Sequence, residues 1–109
     1  MKIFKFLLIS VSLTIINTSA LFADQAKMAK GLEIFNETAG CAACHVLKAA
    51  GSEGNIGPNL DTVEGLNYNS VMDIVTHGLG VMPAFGEDEI LTKDEIDIVS
   101  FYVANSVGK

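Results

Sequence analysis

Cys41 and Cys44 stand three apart with His45 directly behind them, in the run CAACH. That spacing is the attachment signature of a c-type haem. Each thiol adds across one vinyl group of the porphyrin and leaves a thioether. Ala42 and Ala43 set the span between the two vinyls and are small enough to leave the ring unobstructed. His45 then lies under the iron and offers it an imidazole nitrogen. One short segment thus anchors the ring at Cys41 and Cys44 and ligates its metal at His45.

Two other chemistries use paired cysteines. A redox dithiol of the thioredoxin kind belongs at a strand-to-helix turn in a βαβ unit, and no strand pattern precedes Cys41. A structural zinc ion wants four nitrogen or sulfur ligands. The chain offers Cys41, Cys44, His45 and His77 and no others of those types. Cys44 and His45 are sequence neighbours, which makes a joint tetrahedral site awkward.

The chain opens MKIFKFLLISVSLTIINTSALFADQ. Lys2 and Lys5 form a positive start, Phe6 to Ile16 an apolar run, and Thr18, Ser19, Ala20 and Ala23 supply small residues. This is the pattern of a secretory signal peptide. It assigns residues 1–23 to the signal and residues 24–109 to one haem-bearing domain. Cleavage after Ala20 fits the small-residue rule slightly better than cleavage after Ala23, because Leu21 is a poor residue at the −3 position of the later cut. The apolar run is short for a bilayer span of roughly 20 residues. The expectation is therefore a periplasmic domain with no stable membrane insertion after cleavage.

Without Lys2 and Lys5, five basic residues face thirteen acidic ones, a net charge of about −8, and arginine is absent. Nucleic-acid phosphates would repel such a domain. A basic protein partner, met by electrostatic steering, suits it; keeping an exported protein soluble accounts for the acids equally well. A domain of about 86 residues buries only a thin core. This one has no tryptophan, and its only cysteines lie in CAACH. A covalently held haem would fill the centre and act as the staple that small folds need.

Three helical patterns frame the loops. Met28, Leu32 and Phe35 follow helical spacing among Lys27, Lys30, Glu33 and Glu37. Gly31 sits on that apolar face, where close approach by another helix would offset its poor helix propensity. Residues 47–67 read as loop, punctured by Gly51, Gly54, Gly57 and Pro58. The second helix starts near Asn69 or Ser70, with Val71, Ile74 and Val75 on one face and Gly78 as its stop. The third starts at Thr92, which makes a T-x-x-E capping box with Glu95, and runs to about Ser106.

Two loops carry the remaining chemistry. In VMPAF, residues 81–85, Met82 offers a thioether, which paired with histidine raises the potential of a haem iron. Pro83 stiffens that loop. Met28 and Met72 fall inside helical patterns and read as core fillers. In GPNL, residues 57–60, the carbonyl of Pro58 suits the second N–H of a ligating histidine, although an ordinary turn has the same sequence. His77 reads as a solvated helix-terminal residue favoured by the helix dipole.

CAACH, GPNL and VMPAF, in that order between an N-terminal and a C-terminal helix, resemble a class I c-type cytochrome of the small bacterial monohaem type. The resemblance covers about Gln25 to Val107. It implies an all-α cytochrome c fold, with three or more helices packed around one covalently bound haem c. It also implies crossed terminal helices, with Gly31 and Phe35 meeting the Tyr102 region. Cys41, Cys44, His45, Pro58 and Met82 would then bind the cofactor, and His45 and Met82 would bind its iron. Any arginine contact to the haem propionates is missing here. Tyr68, Asn67, Asn69, Lys48 or backbone amides would have to serve.

No nucleophile, base and acid cluster near a Gly-rich turn, so no enzyme activity is expected. With both axial positions filled, outer-sphere transfer of one electron remains. The expectation is a periplasmic carrier that meets donor and acceptor proteins, with basic docking surfaces, through small transient interfaces. A haem subunit of a periplasmic oxidoreductase, for instance one oxidising inorganic sulfur, is the alternative. A non-haem thiol–disulfide protein is a weaker one.

Overall fold

A computed structural model describes residues 18–109 of the chain. Lys2, Lys5 and the apolar run Phe6 to Ile16 lie outside the described residues. Helix α1 spans Thr18–Glu33, so both candidate cleavage positions, Ala20 and Ala23, fall within it. Leu21 and Phe22 on this stretch are exposed. Beyond Glu33 the helix widens into a π-turn over Ile34–Thr38, in which Ala39 N–H donates to Ile34 O at 2.8 Å. Nothing in the periodicity announces that turn. It buries Ile34 and Phe35 in succession and carries the chain to Gly40.

Helix α2 spans Tyr68–His77 and α3 spans Lys93–Ser106. The start of α2 lies slightly before the Asn69 or Ser70 expected. Asn67 is its cap: its side chain accepts Ser70 N–H at 3.1 Å, and Ser70 Oγ accepts Asn67 N–H at 2.9 Å. Serine in place of glutamate or glutamine at the third position hides this capping box from the usual pattern. The Thr92–Glu95 box of α3 forms as read, with reciprocal bonds of 3.2 and 3.0 Å.

The all-α architecture carries one small exception. Strands β1 (Val46–Leu47) and β2 (Ser52–Glu53) pair antiparallel, Val46 with Glu53 and Leu47 with Ser52, around a single 3₁₀ turn at Lys48–Ala50. Strands of two residues have no periodicity to read, which is why this stretch looks like plain loop in the sequence.

Helix α3 is the centre of packing, with α1 and α2 both laid against it. The buried core joins Ile34 and Phe35, Leu47, Val71 and Val75, Phe85, Leu91, Ile96, Val99, Tyr102 and Val103. The crossing of α1 over α3 is the one the resemblance implied. A Cβ built on Gly31 would stand 2.2 Å from Tyr102 Cβ and 3.1 Å from the carbonyl oxygen of Ile98. Phe35 and Tyr102 meet one turn further on, ring centroids 6.0 Å apart. At the edge of this crossing the Tyr68 hydroxyl donates to Asp97, Lys27 Nζ lies 2.9 Å from the same carboxylate, and the ammonium sits 4.7 Å from the centre of the Phe101 ring. One aspartate thereby ties all three helices together.

The Gly31 contact makes a direct prediction. Gly31→Ala gains helix propensity of about 1 kcal/mol but forces its methyl group into Tyr102, and overpacking costs about 1–3 kcal/mol. At 2.2 Å the clash dominates. Denaturant unfolding of the haem-loaded protein should show a net loss of stability; a gain would mean that the two helices do not cross at this glycine.

Candidate haem site

The CAACH segment is shaped by its neighbours in sequence. Gly40 takes the left-handed conformation at φ 68°, which glycine adopts without penalty. The chain then enters a 3₁₀ turn over Cys41–Ala43, and the N–H groups of Cys44 and His45 both donate to Cys41 O, at 3.1 and 3.0 Å. Both thiols are free and half-buried. Burial pushes the Cys41 thiol up to about 11. Thiol–disulfide catalysts need the opposite, a thiolate favoured near neutral pH. Among the described residues no strand leads into Cys41, and no group of three or more His, Cys, Asp or Glu side chains converges as a metal site.

His45 Nδ1 lies 2.7 Å from the carbonyl oxygen of Pro58. A carbonyl can only accept, so Nδ1 carries the proton and Nε2 keeps its lone pair for a metal. The loop bearing Pro58 is docked on the same segment. Gly57 N–H donates to Cys44 O at 2.7 Å and Leu60 N–H to Val46 O at 3.0 Å. The imidazole rests directly on Gly57, where a Cβ would lie 2.5 Å from Cε1 and 2.9 Å from Nδ1. Gly54 similarly lets the hairpin close on Ala43. In the sequence, Gly57 is simply a turn residue; its contact with the ring is visible only in the fold.

Met82 stands on the other loop, between α2 and α3. Gly78 adopts φ 75°, and a Cβ there would lie 2.7 Å from Met82 O. Leu79 and Met82 exchange backbone bonds of 3.2 and 3.0 Å across Gly80 and Val81, and Glu87 N–H closes the base of the loop on Thr76 O at 3.0 Å. The side chain of Met82 is half-buried against the core, as are those of Met28 and Met72 on their helices. No hydrogen bond among the described residues joins this loop to the CAACH–Pro58 unit.

Among the described residues, the two loops also hold most of the exposed large apolar side chains: Ile56 and Val63 on the first, Leu79 and Val81 on the second. Val81 is 90 % exposed. Ile56 adjoins Gly57, on which the His45 ring rests, and an imidazole with two thiols one residue and four residues before it is the donor set that fits haem c. The propionate partners are narrowed. The Tyr68 hydroxyl donates to Asp97 and Asn67 donates from Nδ2 to Gly65 O at 3.1 Å, which leaves Asn69 and Lys48 of the side chains considered. His77 ends α2 as an exposed residue. It also makes a 2.5 Å contact through Nδ1 with Glu87, and its Nε2 lies 3.6 Å from Asp73.

Residues 26–103 match the family described as cytochrome c oxidase, cbb3-type, subunit III. The chain belongs to this family of c-type cytochrome domains. It is 39 % identical to the Cbb3-type cytochrome c oxidase subunit CcoP of Azospirillum sp. (strain B510), a match covering 75 % of the chain and 31 % of that relative. The chain therefore spans about a third of the length of that curated relative. It is similar as well to the crystal structure of the c-type cytochrome SorU from Sinorhizobium meliloti. That match has a TM-score of 0.70 and 44 % identity, over 78 % of the chain and 95 % of SorU. The fold is that of a small monohaem cytochrome c. Covalently bound haem c, with its iron, is the cofactor, and electron transfer through it is the function.

Two outcomes follow for this cytochrome. Gly57→Ala places a methyl group inside the His45 ring contact, so stability should fall by about 1–3 kcal/mol, and the His45 ring resonances should shift in the NMR spectrum. Unchanged resonances would remove Gly57 from the site. The second concerns pH. Hydrogen bonding to Glu87, and then the charges of Glu87 and Asp73, raise the His77 pKa above its ordinary 6.5 against a smaller opposing effect of desolvation. A raised folded-state pKa stabilises in full below 6.5 and loses that contribution as pH climbs through the raised value. Amide exchange at Glu87, corrected for intrinsic rates, should therefore show greater protection below that window than above it, and His77→Gln should abolish the difference.

Proposed function

We propose that this cytochrome is an exported, periplasmic one-electron carrier and not a catalyst. In this reading residues 1–23 are a cleaved signal and residues 24–109 the mature haem domain. Cys41 and Cys44 tether the ring through thioethers. His45 would hold the iron through Nε2, Pro58 would hold the His45 ring, and Met82 would offer the iron a thioether. The bound haem supplies an iron that alternates between ferrous and ferric states.

The observation that carries this reading is the 2.7 Å bond from His45 Nδ1 to Pro58 O, one residue after the paired cysteines. It fixes the tautomer that leaves Nε2 for iron, and it makes His45 a better donor. The setting of Met82 supports its part in this reading. Of the methionines at 28, 72 and 82, it alone sits on a glycine-shaped loop outside a helix. A thioether there favours the ferrous state and raises the potential. The exposed apolar residues Ile56, Leu79 and Val81 give a partner a water-poor contact close to both loops. The acidic surface steers a basic partner toward the domain.

A second reading has one observation in its favour, the 39 % identity to an oxidase subunit. On that reading the domain works as the haem c subunit of a larger periplasmic oxidoreductase. Native mass in a cell extract separates the two: a carrier runs as the processed haem domain alone, below the 11.6 kDa of the full chain, and a subunit runs with its complex.

Ligation is tested by the weak far-red band that thioether sulfur gives with ferric iron. Met82→Ala should abolish the band, lower the potential and open the iron to cyanide. Met72→Ala, a core truncation, should cost about 2–5 kcal/mol at most, since Met72 is only partly buried, and should leave the band in place. The reverse pattern would move the distal ligand into α2.

A further inference from the structure

The segment from Gly57 to Asp61 lies along the segment from Cys44 to Lys48, and the two are joined at four levels. Gly57 N–H donates to Cys44 O at 2.7 Å, His45 Nδ1 to Pro58 O at 2.7 Å, Leu60 N–H to Val46 O at 3.0 Å, and Lys48 N–H to Asp61 Oδ2 at 2.9 Å. Only the last level uses a carboxylate. Its other oxygen, Oδ1, accepts Gly108 N–H at 2.8 Å, just beyond the end of α3. The backbone N–H of Asp61 is itself held by Asn59 Oδ1 at 3.0 Å. Asp61 therefore ties the loop that presents Pro58 to two other parts of the chain. One lies three residues beyond His45, and the other is the tail of the central helix.

Pro58 has no N–H, so no backbone bond of its own can fix its position. It is held from either side, by Gly57 before it and by Leu60 and Asp61 after it. Bonds to an ionised carboxylate are the stronger kind. The N–H groups of Lys48 and then Gly108 keep the Asp61 carboxyl below the ordinary carboxylate range, so the charged acceptor is the form present near neutral pH.

We propose that Asp61 is the positioning residue of the His45–Pro58 bond: by clamping Lys48 and Gly108 it holds the Pro58 carbonyl against His45 Nδ1, and through that bond it sets the iron's potential. The proposal rests on His45 as the iron ligand. A firm bond at Nδ1 makes the imidazole a stronger donor, which favours ferric iron. Loosening the clamp should therefore raise the potential.

The negative charge of Asp61 also favours ferric iron, so the test must separate charge from position. Asp61→Asn removes the charge and keeps a single acceptor oxygen. Asp61→Glu keeps the charge and displaces both oxygens. The haem-loaded, ¹⁵N-histidine-labelled ferrous protein gives two readouts, the Nδ1–H resonance of His45 and its exchange rate with water. In both variants exchange should accelerate by about tenfold or more, as expected when a local clamp is lost. The Nδ1–H resonance should move upfield and the potential should rise. Thr92→Ala, which removes the α3 cap without touching this segment, should change neither His45 readout. Wild-type resonance and exchange in both Asp61 variants would overturn the positioning role. So would a potential that rises in Asp61→Asn alone with His45 unmoved, since that is the signature of charge only. A wild type whose His45 ring shows no haem-induced shifts would instead overturn the ligand assignment, and the proposal with it.

Discussion

The bond between His45 and Pro58 is the constraint on which the site depends. A histidine beside two cysteines is a potential ligand; a histidine whose Nδ1 proton is committed to a carbonyl has one nitrogen left and one orientation in which to offer it. That commitment reaches outward. Gly57 must lack a side chain because the ring rests on it, and Pro58 must be presented by a loop docked along the Cys44–Lys48 segment. The small β1–β2 hairpin and Ser52, whose hydroxyl accepts Leu47 N–H at 2.9 Å, shape the intervening turn. The His45–Pro58 bond, the backbone pairing beside it and the hairpin all fall in the stretch between the first two helices.

The helices provide the frame that keeps this arrangement in place. The crossing at Gly31 brings α1 against α3, and the π-turn that follows buries Ile34 and Phe35 before handing the chain to Gly40 and Cys41. The haem motif is thereby fixed a few residues from the best-buried part of the molecule. The Met82 loop is anchored differently. Phe85 plugs into the core, and the Thr76–Glu87 bond, reinforced by His77 and Glu87, closes the base of the loop. The tip, with Leu79 and Val81, stays at the surface. The Pro58 loop is thus held by backbone pairing along its length and the Met82 loop by its base. This is a physical reason to expect the second to be the more easily opened.

Membership of the cytochrome family and the 95 % coverage of SorU show that the chain has the architecture of a c-type cytochrome domain. The match to about a third of a longer oxidase subunit shows the same kind of domain within a larger protein. Haem attachment and electron transfer are common to both settings. The choice of partner belongs to the surface and not to the core.

Much of this was legible in the residues themselves. The CAACH spacing, the glycine facing another helix, the Thr92–Glu95 cap and the proline-stiffened methionine loop are local patterns, and each local pattern reflects local physics: a vinyl span, a close approach, a capped helix end, a rigid turn. What the chain does not announce is set by neighbours distant in sequence. The turn reading of GPNL could not be separated from an acceptor role until His45 and Pro58, thirteen residues apart, were seen in contact. Asp61 gave no signal, because its partners, Lys48 and Gly108, lie on either side of it at long range. Tyr68 offered a hydroxyl for a propionate, yet packing of α2 on α3 brings it to Asp97 instead. Residue type and spacing determined the cofactor and the helices. Only the tertiary structure decided which hydrogen-bond partners each polar group finds, because those pairings form between segments that folding alone brings together.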